Sequence, residues 1–232
     1  MKLRILIADD HEVVRRGLCA LLQTHEGWEI CGEANDGRQA VEMSRQLKPD
    51  VMILDVGMPN LNGLAATRQL TQQDSRVKII ILTITDSDEV IREALDAGAR
   101  GFVLKSDAGR DLVSAVEALQ RNHMFFTPRV NDLVVAGFLD RGENGSDGKA
   151  PRLPKLTPRE CEVVQLLAEG KSSKEVASLL DLSTKTAETH RSNIMRKLRL
   201  HSIRDIVVYA IQNNIIQVQM PSRSDGRPQE SV

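Results

Sequence analysis

Aromatic residues make up only 3% of the 232-residue chain, although an apolar content of 41% is enough for proper hydrophobic cores. Cysteine is equally sparse. Cys19, Cys31 and Cys161 are an odd number, lie far apart and form no CxxC pair, which excludes both a disulfide framework and a cysteine zinc site. No apolar run approaches the roughly 18 residues of a membrane span, and the first apolar segment starts at Lys2, so no signal peptide is expected. The expectation is therefore a soluble, cytoplasmic protein of a reducing compartment, where the Asn144-Gly145-Ser146 glycosylation triplet has no meaning. Excess charge is missing too. A net charge of -1 rules out a wholly basic nucleic-acid binder and an acidic tail protein.

The charge is nonetheless divided. Residues 1–122 hold 15 Lys/Arg against 19 Asp/Glu, whereas residues 152–214 hold 11 against 7. Such a split suggests that only the second half meets a polyanion.

In the first half, short apolar runs alternate with amphipathic stretches. LRILIAD (3–9), WEICGEA (28–34), VMILD (51–55), KIIILT (78–83) and GFVLK (101–105) read as strands, apolar on both faces as parallel strands covered by helices are. Helical spacing marks residues 11–22, 37–47, 64–71, 88–97 and 110–121. Five β–α units in series give an open, doubly wound parallel sheet, whose sites lie outside the carboxyl ends of the strands.

The stretch VMILDVGMPN ends a buried strand on a carboxylate and turns at once. An unpartnered buried charge is costly, so Asp55 either caps the strand or marks a site. Asp9 and Asp10 end the first strand, Thr83 the fourth and Lys105 the fifth, all at the same edge. Three carboxylates in one shallow pocket raise one another's pKa unless a cation joins them. Mg²⁺ fits, since it keeps several waters and takes only one or two carboxylates. Asp55 is then a nucleophile, with Lys105 pairing to phosphoryl oxygens as a point charge and Thr83 donating a hydroxyl hydrogen bond. Taken singly, Asp9 or Asp10 also suits a helix cap, Lys105 a solvated loop lysine and Thr83 an ordinary strand residue.

ADD (8–10), LDVGMPNLNG (54–63), LT (82–83) and FVLK (102–105) together resemble a two-component receiver domain over the first 122 residues. The resemblance implies a flavodoxin-like (βα)5 fold and phosphotransfer from a sensor histidine kinase to Asp55. It places Mg²⁺ on Asp10, Asp55 and the Gly57 backbone carbonyl, with Asp9 behind it or acting through water. It also implies a switch in which Thr83 moves toward the phosphoryl group and Phe102 turns inward. A haloacid-dehalogenase type phosphatase would need a second carboxylate where Gly57 stands, and no GxGxxG or GxxxxGK[ST] follows a strand. A protein-binding adaptor with a degenerate pocket is the remaining alternative, but this pocket has all its members.

Residues 123–155 are read as a linker region, with DRGENGSDGKAPRLPK (140–155) as its flexible core, and residues 217–232 as a disordered tail. Between them, 156–216 is helical throughout. SSKEVASLLDLSTKTAETHRSNIMRKL reads as helix, tight turn, helix. Val176, Ala177 and Leu180 face inward, Leu182 plugs the turn, and Ser183 or Thr184 caps the second helix. On that helix Ala187, His190, Ile194 and Leu198 share the packed side, opposite Lys185, Glu188, Thr189, Ser192 and Arg196. A hydroxyl-rich, basic exposed face suits the major groove, and Lys185, Arg191, Arg196, Lys197 and Arg199 supply charge for phosphates. The segment from Leu156 is similar to the LuxR-type helix-turn-helix, with Ala187 standing where that family commonly has valine. The whole chain thus resembles a bacterial transcription regulator of the NarL/FixJ type. That resemblance implies double-stranded promoter DNA as partner and a homodimer through the last helix, and it implies no enzyme.

Overall fold

The computed structural model describes residues 2–127, 130 and 156–216. The linker core and the tail lie outside them.

Among the described residues, five parallel strands form one sheet in the order β2-β1-β3-β4-β5. They are β1 (Leu3–Ala8), β2 (Trp28–Ala34), β3 (Val51–Asp55), β4 (Lys78–Thr83) and β5 (Gly101–Leu104). Helices α1 (Glu12–Gln23), α2 (Gly37–Leu47), α3 (Gly63–Gln73), α4 (Asp88–Ala97) and α5 (Ala108–Gln120) connect them. The order turns back beside β1, which is the switch point where such sheets open a site. Strand side chains alternate between two cores. Leu6, Met52, Leu54, Ile79, Ile81 and Phe102 pack under α2, α3 and α4 on one face, while Ile5, Ile7, Val51, Ile53, Ile80 and Val103 pack under α1 and α5 on the other. Short polar side chains start the helices at the same edge: Asp36 accepts from the Gln39 amide, Asn62 from Ala65 and Ser87 from Val90.

The chain beyond residue 122 begins as part of this unit rather than as linker. Phe125 runs parallel to Gly101. Its carbonyl accepts from the Phe102 amide at 3.0 Å, and its own amide donates to the Arg100 carbonyl at 3.0 Å. Phe126 and Val130 join the core around Phe102. An uncovered β5 would present unpaired backbone groups, and this segment pairs them; the sequence reading missed it because a lone pairing residue has no period.

Within 156–216 the described residues form four helices: α6 (Pro158–Ala168), α7 (Ser173–Leu179), α8 (Thr184–Leu198) and α9 (Ile203–Gln212). Thr157, Ser172 and Ser202 each open a reciprocal capping box, and Ser183 caps α8 through the Thr186 amide. Val163, Val164, Leu167, Val176, Ala177, Leu180, Ala187, Ile194, Leu198 and Ile206 form a third core. No helix among the described residues is long and apolar enough to cross a membrane.

Candidate functional site

Strand register gathers the acidic residues. Ala8 pairs with Leu54, Asp55 with Leu82 and Thr83 with Leu104, so the carboxyl ends of β1, β3, β4 and β5 lie side by side. Asp9 is fully buried and Asp55 is 1% exposed. Lys105, in a single 3-10 turn (Lys105–Asp107) directly after β5, places Nζ 2.8 Å from Asp9 Oδ2 and 2.9 Å from Asp55 Oδ2. Two buried carboxylates thus share one ammonium.

The electrostatics follow. Burial pushes the Asp55 carboxyl above its ordinary range; the nearby ammonium opposes that and the Asp9 charge adds to it. Burial works against the charge on Lys105, but the two carboxylates outweigh it and hold the ammonium above its usual pKa. The group is an anion pair in deficit of positive charge, which one cation already relieves only in part.

Asp10 stands at the mouth of this pocket, and His11 Nδ1 lies 2.6 Å from its Oδ1. Asp9, Asp10, His11 and Asp55 bring one ligand atom each to within 4.8 Å of one another, a cluster able to hold a metal ion. Hard carboxylate oxygens and a net negative charge fit a divalent cation such as Mg²⁺. His11 was read only as a helix start; its adjacency to Asp9 and Asp10 was the available signal. Asp9 does not cap α1 through N2 or N3, although its Oδ1 accepts from the His11 amide at 2.8 Å.

Thr83 is fully buried, and its hydroxyl oxygen accepts from the Thr85 amide at 3.3 Å. Phe102 is already turned into the core at 1% exposure. Gly57 follows Val56, whose amide donates a hydrogen bond to the Leu82 carbonyl, and the Gly63 amide donates to the Val56 carbonyl. A Cβ on Gly63 would sit 2.1 Å from the Asp55 carbonyl oxygen, so glycine alone lets α3 start this close to the site.

The loop between β3 and α3 also carries the contact with the helical unit. Gln165 on α6, 1% exposed, donates from Nε2 to the Met58 carbonyl at 3.0 Å and accepts from the Asn62 amide at 2.9 Å. Glu169, directly after α6, accepts from the Asn60 amide at 3.2 Å and from Gln165 Nε2 at 2.8 Å. Asn62 Nδ2 reaches the Ile215 carbonyl at 3.2 Å, and Gln69 Nε2 reaches Glu162 at 3.0 Å.

The second candidate surface is α8. Lys185, Glu188, Thr189, Ser192 and Arg196 are all exposed, while Ala187, Ile194 and Leu198 are buried beneath them. Docking of α6 on the first unit leaves this face open. Thr189 turns its hydroxyl back to the Lys185 carbonyl at 2.8 Å, leaving an acceptor outward, and Arg196 Nη2 donates to Asn193 at 2.9 Å. Arg191 and His190 are half-buried and Arg199 is exposed in a left-handed cap. Lys197 differs from the other cations. Its Nζ lies 2.6 Å from Glu160, tying α8 to α6, and although burial opposes the Glu160 charge, that ammonium brings its carboxyl below the usual range.

Comparison with known proteins finds relatives of both units. Residues 5–117 match the response regulator receiver domain, and residues 154–210 match the luxR family of bacterial regulatory proteins. The chain is 35% identical over 217 residues to the response regulator protein VraR of Staphylococcus aureus, covering 94% of this chain and all of that one. A structure of RcsB from Salmonella enterica serovar Typhimurium, bound to promoter rprA in the presence of the phosphomimetic BeF3⁻, is 28% identical, with a TM-score of 0.59. That match covers 90% of this chain and 98% of the other. A two-component response regulator of the LuxR family from Aurantimonas sp. SI85-9A1 is 30% identical, with a TM-score of 0.56 over 60% of this chain and 99% of that one.

Proposed function

The chain belongs to the LuxR family of DNA-binding response regulators, which are not enzymes, and from that premise we propose that a phosphoryl group on Asp55 controls how its helical unit engages promoter DNA. The observation that carries the reading is the shared ammonium: Lys105 within 2.9 Å of both Asp9 and Asp55, at the edge of a parallel sheet.

The donor is the phosphohistidine of a sensor histidine kinase. An Asp55 carboxylate oxygen attacks phosphorus in line as the bond to the kinase imidazole breaks. Asp10, Asp55 and the Gly57 carbonyl would hold Mg²⁺, with Asp9 behind them; when bound, the ion supplies positive charge to the phosphoryl oxygens. Lys105 offers those oxygens its remaining proton, and Thr83 donates its hydroxyl hydrogen to them. Phe102 is already in the core, so its contribution is to hold space for that movement rather than to swing inward.

The units we assign are a receiver through about residue 127, a linker to 155, a DNA-binding unit over 156–216 and a tail beyond, in a cytoplasmic protein. On DNA, a homodimer places two copies of α8 in successive major grooves. Lys185, Glu188, Thr189, Arg191, Ser192 and Arg196 face the duplex. Lys197 is assigned to bracing α8 through Glu160, with only its remaining protons available to a phosphate.

Arg196→Ala tests this surface. On a duplex selected by the wild-type protein, the variant binds more weakly, and the slope of log K against log salt falls in magnitude by about 0.9, one phosphate contact's worth. An unchanged slope removes Arg196 from the interface. The proposal as a whole is tested by titrating that duplex with and without acetyl phosphate and Mg²⁺. Phosphodonor tightens binding and moves the protein from monomer toward dimer in sedimentation; equal affinities in the two conditions would refute it.

A further inference from the structure

His11 has no task in a pocket that holds its cation through oxygen alone. It stands at the N-cap of α1, yet its side chain makes no cap bond to that helix. The ring turns instead toward the carboxylates, with Nδ1 2.6 Å from Asp10 Oδ1 and 3.4 Å from Asp9 Oδ1. We propose that His11 is a nitrogen ligand of the metal pocket, and that it gives the pocket a preference for a divalent transition ion, of the cobalt and zinc class, over Mg²⁺.

This rests on the reading of the pocket as a cation site and adds a ligand to it. The placement of charge supports it. Lys105 Nζ takes up the Oδ2 atoms of Asp9 and Asp55, whereas His11 faces the Oδ1 atoms of Asp9 and Asp10. The remaining Asp55 oxygen, Oδ1, is buried, and no side chain among the described residues donates to it. One oxygen from each carboxylate and one His11 ring nitrogen lie within 4.8 Å of one another. A small inward turn of the ring, whose side chain is 48% exposed, brings such a set to the roughly 2.0–2.2 Å of nitrogen and carboxylate ligands on zinc.

Ligand chemistry sets the preference. Mg²⁺ is a hard ion that takes oxygen and gives up its waters reluctantly, so an imidazole adds nothing to its binding. Imidazole suits the later divalent ions, whose affinity for a mixed nitrogen and oxygen site rises along the series toward copper and stays high at zinc. As a bare ion pair with Asp10, a half-exposed histidine would contribute little; as a ligand it decides which cation the carboxylates hold. Asp55 is one of those carboxylates, so the ion chosen with the help of His11 is the one that stands beside the phosphoacceptor.

The test is equilibrium dialysis of the full chain against Co²⁺ and against Mg²⁺, on wild type, His11→Ala and Asp55→Asn, with a proton NMR spectrum of each Co²⁺-loaded protein. Because His11 makes no cap bond, alanine leaves the start of α1 in place. Wild type binds Co²⁺ more tightly than Mg²⁺ and shows a hyperfine-shifted imidazole resonance. His11→Ala loses that resonance and at least about tenfold in Co²⁺ affinity, while its Mg²⁺ affinity is unchanged. Asp55→Asn weakens both ions, which separates this pocket from adventitious binding at His25, His123, His190 or His201. An equal loss of both ions in His11→Ala would make the histidine a support for Asp10 and overturn the proposal, as would a Co²⁺ affinity that the substitution leaves unchanged. Either result leaves the carboxylate cation site standing. Wild type that binds neither ion would overturn that site as well.

Discussion

DNA binding by the Asp55→Asn variant is indifferent to phosphodonor, whereas the wild type tightens by about 5- to 150-fold, the ordinary range for coupling free energies of about 1–3 kcal/mol. The reason is chemical. A carboxamide cannot form the acyl phosphate, and Lys105 retains Asp9 as its partner at 2.8 Å, so the fold survives. A ligand shifts an equilibrium only by its unequal affinity for the two states; without the phosphoryl group no such inequality arises. The variant also reports on stability. Because burial raises the folded-state pKa of Asp55 above its unfolded value, its carboxyl favours folding at acid pH, and that contribution is lost as pH rises through the folded pKa. Asp55→Asn is therefore at least as stable as wild type at pH 7. Titrating a selected duplex and recording thermal unfolding measure the two effects. A variant that still tightens on DNA with phosphodonor would place the reacting group elsewhere.

Lys105→Met has the opposite consequence for the fold. Methionine fills most of the lysine's volume but leaves Asp9 and Asp55, at 0% and 1% exposure, without their ammonium. Removing one partner from a buried ion pair costs about 3–5 kcal/mol, a large part of the roughly 5–15 kcal/mol that holds a domain together. The sign of the pH dependence is set by the same charges. Without Lys105, Asp55 loses the charge that opposes its burial and is held still further above its unfolded pKa, so folding is favoured when it is protonated and loses ground as pH rises. The gap to wild type is widest at neutral pH and narrows toward acid. Mg²⁺ binding to the folded pocket recovers part of the loss by mass action. Urea titrations at pH 5 and pH 7, with and without Mg²⁺, check this; a variant as stable as wild type at pH 7 would mean that the carboxylates are not dependent on Lys105.

What the sequence shows, and what it hides, divides by distance along the chain. Each strand is short, apolar and punctuated, and its last residue is known once its run ends. Asp9, Asp55, Thr83 and Lys105 were therefore legible as one edge before any coordinates. The face of α8 was legible for a similar reason, since Lys185, Glu188, Thr189, Ser192 and Arg196 recur at helical spacing. Contacts between segments far apart have no such period. Gln165 interrupts the apolar run VVQLL, a faint sign of a buried polar contact, but nothing local says that its partners are Met58 and Asn62. Phe125 closes the edge of β5 with two backbone bonds that leave no trace in side-chain pattern. Lys197 looked like its basic neighbours until Glu160, 37 residues earlier, was found 2.6 Å away.

The proposed function depends on Asp55 accepting a phosphoryl group in a pocket completed by a divalent cation. Intact-mass spectrometry after incubation with acetyl phosphate, with and without Mg²⁺, tests it most directly. Wild type is expected to gain one phosphoryl mass only when Mg²⁺ is present, and Asp55→Asn none. A wild-type protein that gains no mass with Mg²⁺, or an adduct that persists in the variant, would contradict it.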